Sequence, residues 1–278
     1  LEQIESARAR LGLDKPLPVQ YGIFIRDVLH GNFGKSYTYG KPAMDLIFER
    51  MPATLELVAV AACLVLCIAI PLGVYAGAYP KRASSKLIMS GSILGISLPS
   101  FWVGMMMIYI FAVVLRLLPA SGRGNTVMVG NVALSIFAPG GIRYVILPAI
   151  TLALTNVATM LRLTRSGILE NMRQDYIKFA RAKGVPAKSI LFGHALKNAL
   201  IPVVTIFGMD LGNMIAFTTI TETIIAWPGM GKLLIDAINK SDRPIIVAYL
   251  MAAACMFVVL NFIVDILYTL IDPRIELR

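Results

Sequence analysis

Five stretches of the chain are apolar for long enough to cross a bilayer, whose hydrocarbon core takes about 20 residues of α-helix. They run roughly over residues 55–78, 87–115, 144–160, 200–225 and 245–270. The third is short if it stops before Arg162, but its helix can continue into the cytoplasm. The second is long and holds Pro99. A proline inside a helix removes a backbone hydrogen bond and kinks it. Backbone that faces lipid must be satisfied internally, so Pro99 predicts a bend or break that faces protein. Ahead of the spans the pattern is mixed. Leu1, Ile4, Ala7 and Leu11 fit one face of a short amphipathic helix, which Gly12, Asp14, Pro16 and Pro18 stop. Residues 30–41 read as a polar, Gly-rich loop.

Composition agrees with lipid as the solvent. Of 278 residues 57% are hydrophobic and 15% charged, with mean hydropathy +0.74. Soluble domains have about 45–50% and about 25%. The fold class is therefore an all-α polytopic membrane protein with five visible spans. The net charge of +10 does not call for nucleic acid as a partner, since no aromatic–basic stacking platform accompanies it and basic residues collect in cytoplasmic loops. Cys63, Cys67 and Cys255 lie within apolar runs and read as packing residues, not a disulfide framework.

Orientation follows from where the charge is dense. Each side of the membrane would carry 13 Lys and Arg, against 4 acids on one side and 9 on the other. Eight of the basic residues crowd into residues 162–197. Long segments translocate regardless of charge, so that loop and the C-terminus are placed in the cytoplasm. Residues 1–50 then form an outer, periplasmic segment, and residues 51–278 the membrane domain. An outer segment without a leader in front predicts a preceding span and a six-span protein.

Residues 164–204 carry the most information. Residues 175–183 suit a helix with an acid in its first turn, basic residues later and Gly184 as its stop. Pro186 suits the first turn of the next helix. This helix–turn–helix has too many apolar residues for a solvated loop: Tyr176, Ile177, Phe179, Ala180, Ile190 and Leu191. Such a patch rimmed with charge marks a protein contact, with an amphipathic pair lying on lipid headgroups as the alternative.

Other constellations are thinner. Glu56, Asp210 and Asp265 lie within or at the edges of spans, where acids are costly and face a cavity or a partner. Glu56 and Asp265 read as structural. Asp210, between Gly208 and Gly212 with Asn213 beside it, either lines a path or bonds a neighbouring helix. Gly73 with Gly77, and Gly91 with Gly95, have the four-residue spacing of close helix packing. Trp227-Pro228-Gly229 reads as a turn at the outer interface, anchored by the indole. Gly34-Lys35-Ser36 imitates the end of a phosphate-binding loop, but Leu29 stands where that motif needs its first Gly. His30 and His194 fall on opposite sides of the membrane, so no metal site is expected. An intramembrane hydrolase using Ser97 or Ser100 would lack a histidine base within the spans.

The chain resembles the transmembrane permease subunits of bacterial ATP-binding-cassette importers, in the dipeptide, oligopeptide and nickel branch. Eleven segments carry the resemblance in order: LGLDKPLPVQY, GNFGKSY, MPATLEL, SLPSFWVGM, LPASGR, ILPAITL, RLTRSGILE, DYIKFARAKG, HALKNALIPVVT, TETIIAWPGMGKLLIDAI and DPRI. The family's cytoplasmic signature is Glu-Ala-Ala, three residues, Gly, nine residues, Ile-x-Leu-Pro. Its Gly falls on Gly184 and its second Ala on Ala180. Lys178, Phe179, His194 and Lys197 occupy its Glu, first Ala, Ile and Pro positions. Such departures resemble the first of the two paired permeases in the peptide branch.

The resemblance implies a type I importer fold with one more helix ahead of residue 1. It implies a translocation subunit for dipeptides or short oligopeptides in a bacterial inner membrane. The partners it implies are a second homologous permease, two ATP-binding subunits that hold ATP and Mg, and a periplasmic or lipid-anchored solute-binding protein. The coupling region is then residues 164–198, with Tyr176, Phe179, Ala180, Arg181, Lys183 and Gly184 as the ATPase-docking set. Asp210, Asn213 and Pro99 are expected along the path, and Trp227, Pro228 and Gly229 at its outer mouth. No catalytic residue and no cofactor are expected in the chain itself. The alternatives are an ion-coupled secondary transporter, or the same importer role with nickel or glutathione as substrate.

Overall fold

The computed structural model describes residues 15–271. The helix expected near the start of the chain, the DPRI tail and the Asp265 side chain lie outside the described part.

In chain order the helices are α1 (Leu17–Leu29), α2 (Ala43–Ala78), α3 (Ala83–Ser97), α4 (Ser100–Met107), α5 (Ile142–Asn171), α6 (Asp175–Ala182), α7 (Ala187–Ile224), α8 (Met230–Asn239) and α9 (Arg243–Ile271). A π-helical stretch, Ile108–Val114, extends α4, and another, Ile190–Ala195, lies within α7. Between α4 and α5 a small hairpin pairs β1 (Val127–Val129) with β2 (Val132–Leu134), Met128 opposite Ala133.

Each expected span is present. Four helices, α2, α5, α7 and α9, are long and apolar enough to cross, and α3 with α4 makes a fifth, bent by 105°. The bend sits at Pro99, as its chemistry requires. Leu98, whose helical conformation the proline ring disfavours, is extended (ψ 131°), and so is Pro99 itself (ψ 133°). Pro99 is exposed on the isolated chain, so the break does not pack against this chain's own helices.

Two features at the N-terminal end go beyond the expectation. Pro16 and Pro18 border α1. Pro18 takes an early position in α1, where a proline's missing N–H costs nothing. The first span also starts at Ala43, so a boundary at residue 50 falls inside α2. Its outer turns are amphipathic, not apolar: Ala43, Leu46 and Ile47 pack against α8 and α9 while Asp45 and Glu49 face out.

The core is built on close helix approaches. In lipid there is little hydrophobic drive between helices, so small residues and van der Waals contact do the work. Along α2 the buried stripe is Ala53, Leu57, Ala61, Val65 and Ala69, against Val145, Ala149 and Leu152 of α5 and Val203 and Met214 of α7. A methyl at Gly73 would lie 2.6 Å from Thr164 Cβ and one at Gly77 2.7 Å from Ile168 Cβ, so this glycine pair seats α2 on α5. Gly208 and Gly212 do the same for α7 on α9, facing Val264 and Phe257. The pair on α3 differs: Gly95 is in ordinary contact with Ala158, and Gly91 faces open space.

Candidate functional site at the two ends of the bundle

At the end expected to face the cytoplasm, a helix–turn–helix is present. Gly184 adopts φ 77°, the left-handed conformation that favours glycine. Its N–H donates to Arg181 O, and that of Val185 donates to Ala180 O at 3.1 Å. This is the Schellman arrangement that closes a helix, and it turns the chain from α6 into α7. Ile177 is fully buried with Val74, Ile168, Ile190, Ala195 and Ala199, which roots α6 on the inner ends of α2, α5 and α7.

The six expected docking residues divide. Phe179 (62% exposed), Arg181, Lys183 and Gly184 face out, and the Lys183 ammonium lies 4.5 Å over the Phe179 ring. Ala180 is half-buried against the cluster around Ile177. Tyr176 is exposed on its ring but tied at its tip: its hydroxyl donates to Asn171 Oδ1 (2.7 Å) and accepts from Asn198 Nδ2 (3.0 Å). It braces α6 to both α5 and α7. Lys178 draws the Asp175 carboxyl below the usual carboxylate range by hydrogen bonding and charge.

At the outer end three buried carboxylates each fasten one connection. Glu56 of α2 accepts the N–H groups of Ser135 and Ile136, both at 2.6 Å, and pairs with Arg123. It holds the hairpin loop, in the structural role expected of it.

The second carboxylate is Asp242, just before α9. It accepts from Ser36 Oγ (2.6 Å) and Thr38 N–H (3.0 Å). Burial pushes its carboxyl up, but the donors from Ser36, Thr38 and Tyr37 outweigh it and hold the group below the usual range. Ser36, which had imitated a phosphate-binding loop, is thus spent on a carboxylate.

Glu222 is the third, and it is absent from the sequence-level candidates. It is fully buried near the end of α7. Thr54 Oγ1 of α2 donates to it at 2.7 Å and the Lys232 N–H of α8 at 3.0 Å. Thr54 Oγ1 in turn accepts the Met230 N–H (2.9 Å). The start of α8, with its unpaired N–H groups, closes over the acid. Gly229 makes room, because a Cβ there would fall 2.2 Å from Glu222 Oε1.

Trp227 corrects an expectation. The turn Trp227-Pro228-Gly229 exists, but the indole is 0% exposed and donates to Ala53 O at 2.9 Å. It anchors the turn to α2 and not to the membrane interface. The Arg123 guanidinium stands 5.7 Å from its ring.

Along the middle, Asp210 is half-buried and Asn213 exposed. Gly208 and Gly212 face α9, and the helical period turns Asp210 to the other side of α7, where Met209 and Phe217 are exposed. An interhelical bond to α9 is therefore excluded by direction.

Comparison with known proteins places this architecture. The chain is 38% identical to the probable D,D-dipeptide transport system permease protein of Escherichia coli (strain K12), covering 98% of the chain and 84% of that protein. It is 40% identical to an oligopeptide transport system permease protein of Bacillus subtilis (strain 168), over 96% and 83%. Among solved structures, the MetNI methionine ABC transporter in inward-facing form shares the fold: TM-score 0.63, 16% identity, 82% of this chain and 97% of that one. An amino acid ABC transporter is similar, with TM-score 0.53, 14% identity and coverage of 83% and 94%. Residues 69–277 match the family described as binding-protein-dependent transport system inner membrane components. With that match spanning most of the chain, this protein belongs to the binding-protein-dependent permeases of ABC importers.

Proposed function

We propose that the chain is the first of two paired permeases in an importer of dipeptides or short oligopeptides. The second is a homologue, and together they form the path. The complex sits in a bacterial inner membrane, with two ATP-binding subunits that hold ATP and Mg on the cytoplasmic side and a periplasmic or lipid-anchored solute-binding protein outside. Peptide substrates are favoured because the relatives similar to this chain over nearly its whole length are named as dipeptide, di/tripeptide and oligopeptide permeases. Family membership sets aside the ion-coupled alternative.

The observation that carries the coupling is α6. A short helix with exposed Phe179, Arg181 and Lys183 is rooted by Ile177 in the inner ends of three spans. A partner that grips its outer face moves α2, α5 and α7 together, as rigid-body access changes require. In this reading Phe179, Arg181, Lys183 and Gly184 meet the ATPase, while Ala180 and Tyr176 transmit the motion inward. Asp210 and Asn213 line the path from the open side of α7, and Pro99 lets the α3–α4 bend shape it. Pro228 and Gly229 stand at its outer mouth.

The test is co-purification from mild detergent followed by ATPase assay in lipid. The reading requires an ATPase and a second permease to co-purify, and hydrolysis to rise when peptide-loaded binding protein is added. Hydrolysis that responds to a loaded nickel- or glutathione-binding protein instead would refute the peptide assignment and leave the coupling intact.

A further inference from the structure

We propose that the outer cavity between the end of α4 and the start of α5 is an oxyanion site. It has a volume of about 460 Å³, and its lining includes Arg116, Pro119, Asn125, Gly140, Arg143 and Tyr144. The proposal stands apart from the transport reading and needs only the membrane orientation.

Charge is the first argument. Residues 116–143 contain three arginines and no Asp or Glu. Arg123 is neutralised by Glu56. Among the described residues no carboxylate forms an ion pair with Arg116 or Arg143. Two arginines without a carboxylate partner therefore line one cavity, and a guanidinium offers a planar fork of donors that matches carboxylate or phosphate oxygens.

Backbone geometry is the second. Arg116 adopts φ 53°, a conformation that side-chain-bearing residues seldom take and that marks positions held by their surroundings. It lifts the chain out of the π-helical end of α4 into the cavity wall. Arg143 is the second residue of the 30-residue α5, so the positive end of that helix adds to the same field, although the N–H groups of Arg143, Tyr144 and Val145 are already bonded to the carbonyls of Gly140 and Gly141. Asn125 supplies an amide on the remaining wall.

Location is the third. Val113, Val114, Leu115 and Leu117 around Arg116 are all exposed, and an apolar stretch that runs into arginines suits the level where hydrocarbon gives way to headgroups. An oxyanion reaches it either as the phosphate of an outer-leaflet phospholipid or as a soluble carboxylate or phosphate.

The intact complex tests this in two arms. Native mass spectrometry of complex purified from phosphatidylglycerol-containing membranes reads retained lipid. Titration of delipidated complex in neutral detergent with inorganic phosphate, then with an N-acetylated dipeptide, reads soluble anions. Each of Arg116→Gln and Arg143→Gln is expected to weaken binding about tenfold in whichever arm binds, and the double variant further. Arg82→Gln, on the cytoplasmic side, should leave it unchanged. Double variant that elutes as intact complex and binds as well as wild type overturns the proposal. Should the double variant fail to assemble, wild-type complex that saturates with no anion in either arm overturns it equally.

Discussion

Replacing Thr54 by valine tests whether the Glu222 lock is an energetic unit. The change keeps the shape of the side chain and deletes only the hydroxyl. In the fold that hydroxyl does two things: it donates to Glu222 Oε1 at 2.7 Å and accepts the Met230 N–H at 2.9 Å. Both side chains are buried, at 1% and 0% exposure, so water does not replace what is lost. A hydrogen bond to a charged group contributes about 1.5–3 kcal/mol, and an orphaned buried N–H costs about 1–3 kcal/mol. Hydrogen bonds in membrane proteins measure lower, averaging about 0.6 kcal/mol. The Lys232 N–H also remains on Glu222. Discounting for both, Thr54→Val should destabilise by about 2–4 kcal/mol, or roughly 5–15 °C in Tm for a domain of this size. Trp227, fully buried on the Ala53 carbonyl beside the site, reports unfolding by its fluorescence. Glu222→Gln completes a double-mutant cycle, in which residues sharing one network should couple by about 1–2 kcal/mol. Thr223→Val, whose exposed hydroxyl bonds only its own helix, is the control. If Thr54→Val behaves like that control, or if the two changes add to within about 0.5 kcal/mol, the lock is not a unit and the reasoning fails.

Three further outcomes follow from the same contacts. Gly184→Pro cannot adopt φ 77° and loses the N–H bonded to Arg181 O. It should cut peptide uptake more than about tenfold while thermal unfolding of the spans is unchanged, measured by uptake into proteoliposomes beside a melting curve. Gly77→Val drives a side chain into Ile168 and should cost about 1–3 kcal/mol or more. Gly91→Val meets nothing within 4 Å and should be neutral, so equal melting temperatures would deny the α2–α5 contact its role. The Asp242 carboxyl is held below its unfolded value. Its stabilisation is therefore present above the usual carboxylate range, about pH 4, and is lost as pH falls through the depressed native value. Hydrogen-exchange protection at Ser36–Lys41 amides should fall in acid, and Asp242→Asn should lose protection at neutral pH. Protection that is flat with pH in the wild type would count against the clip.

The parts legible in the sequence are those whose cause is local. Spans declare themselves because lipid demands unbroken apolar runs, and the cytoplasmic turn because Gly184 and Pro186 punctuate an amphipathic pattern. Pro99 gave its bend for the same reason. Pro16 and Pro18 read as a stop, and Pro18 also takes an early position in α1, where its ring fits equally well. Trp227 was misread because tryptophan is enriched at membrane interfaces, and no local pattern says that this indole meets a carbonyl 174 residues away. Glu222 escaped notice for a like reason: its main donor, Thr54, is 168 residues distant. A trace of it was present all the same. An acid at the end of an apolar run needs donors, and the two glycines of Trp227-Pro228-Gly229-Met230-Gly231 let a helix start come close enough to supply them.

The two ends are held by different physics, and the difference bears on what moves. Outside, Glu56 and Glu222 satisfy both carboxylate oxygens with donors from other segments, and Asp242 binds Ser36 and Thr38 through Oδ2. Such bonds are directional and short, and breaking one strands a buried carboxylate. The outer loops are thereby fixed to α2, α7 and α9 as part of the same body. Inside, α6 rests on Ile177 among aliphatic neighbours, with Tyr176 as its polar brace. Aliphatic contacts tolerate small sliding where hydrogen bonds do not. A pull on α6 therefore has slack first at its own seat, and beyond that seat it meets rods clamped at their far ends. On the proposed coupling, displacement at α6 is delivered to the opposite face as rotation of whole helices, not as local melting, which is the motion an alternating path needs.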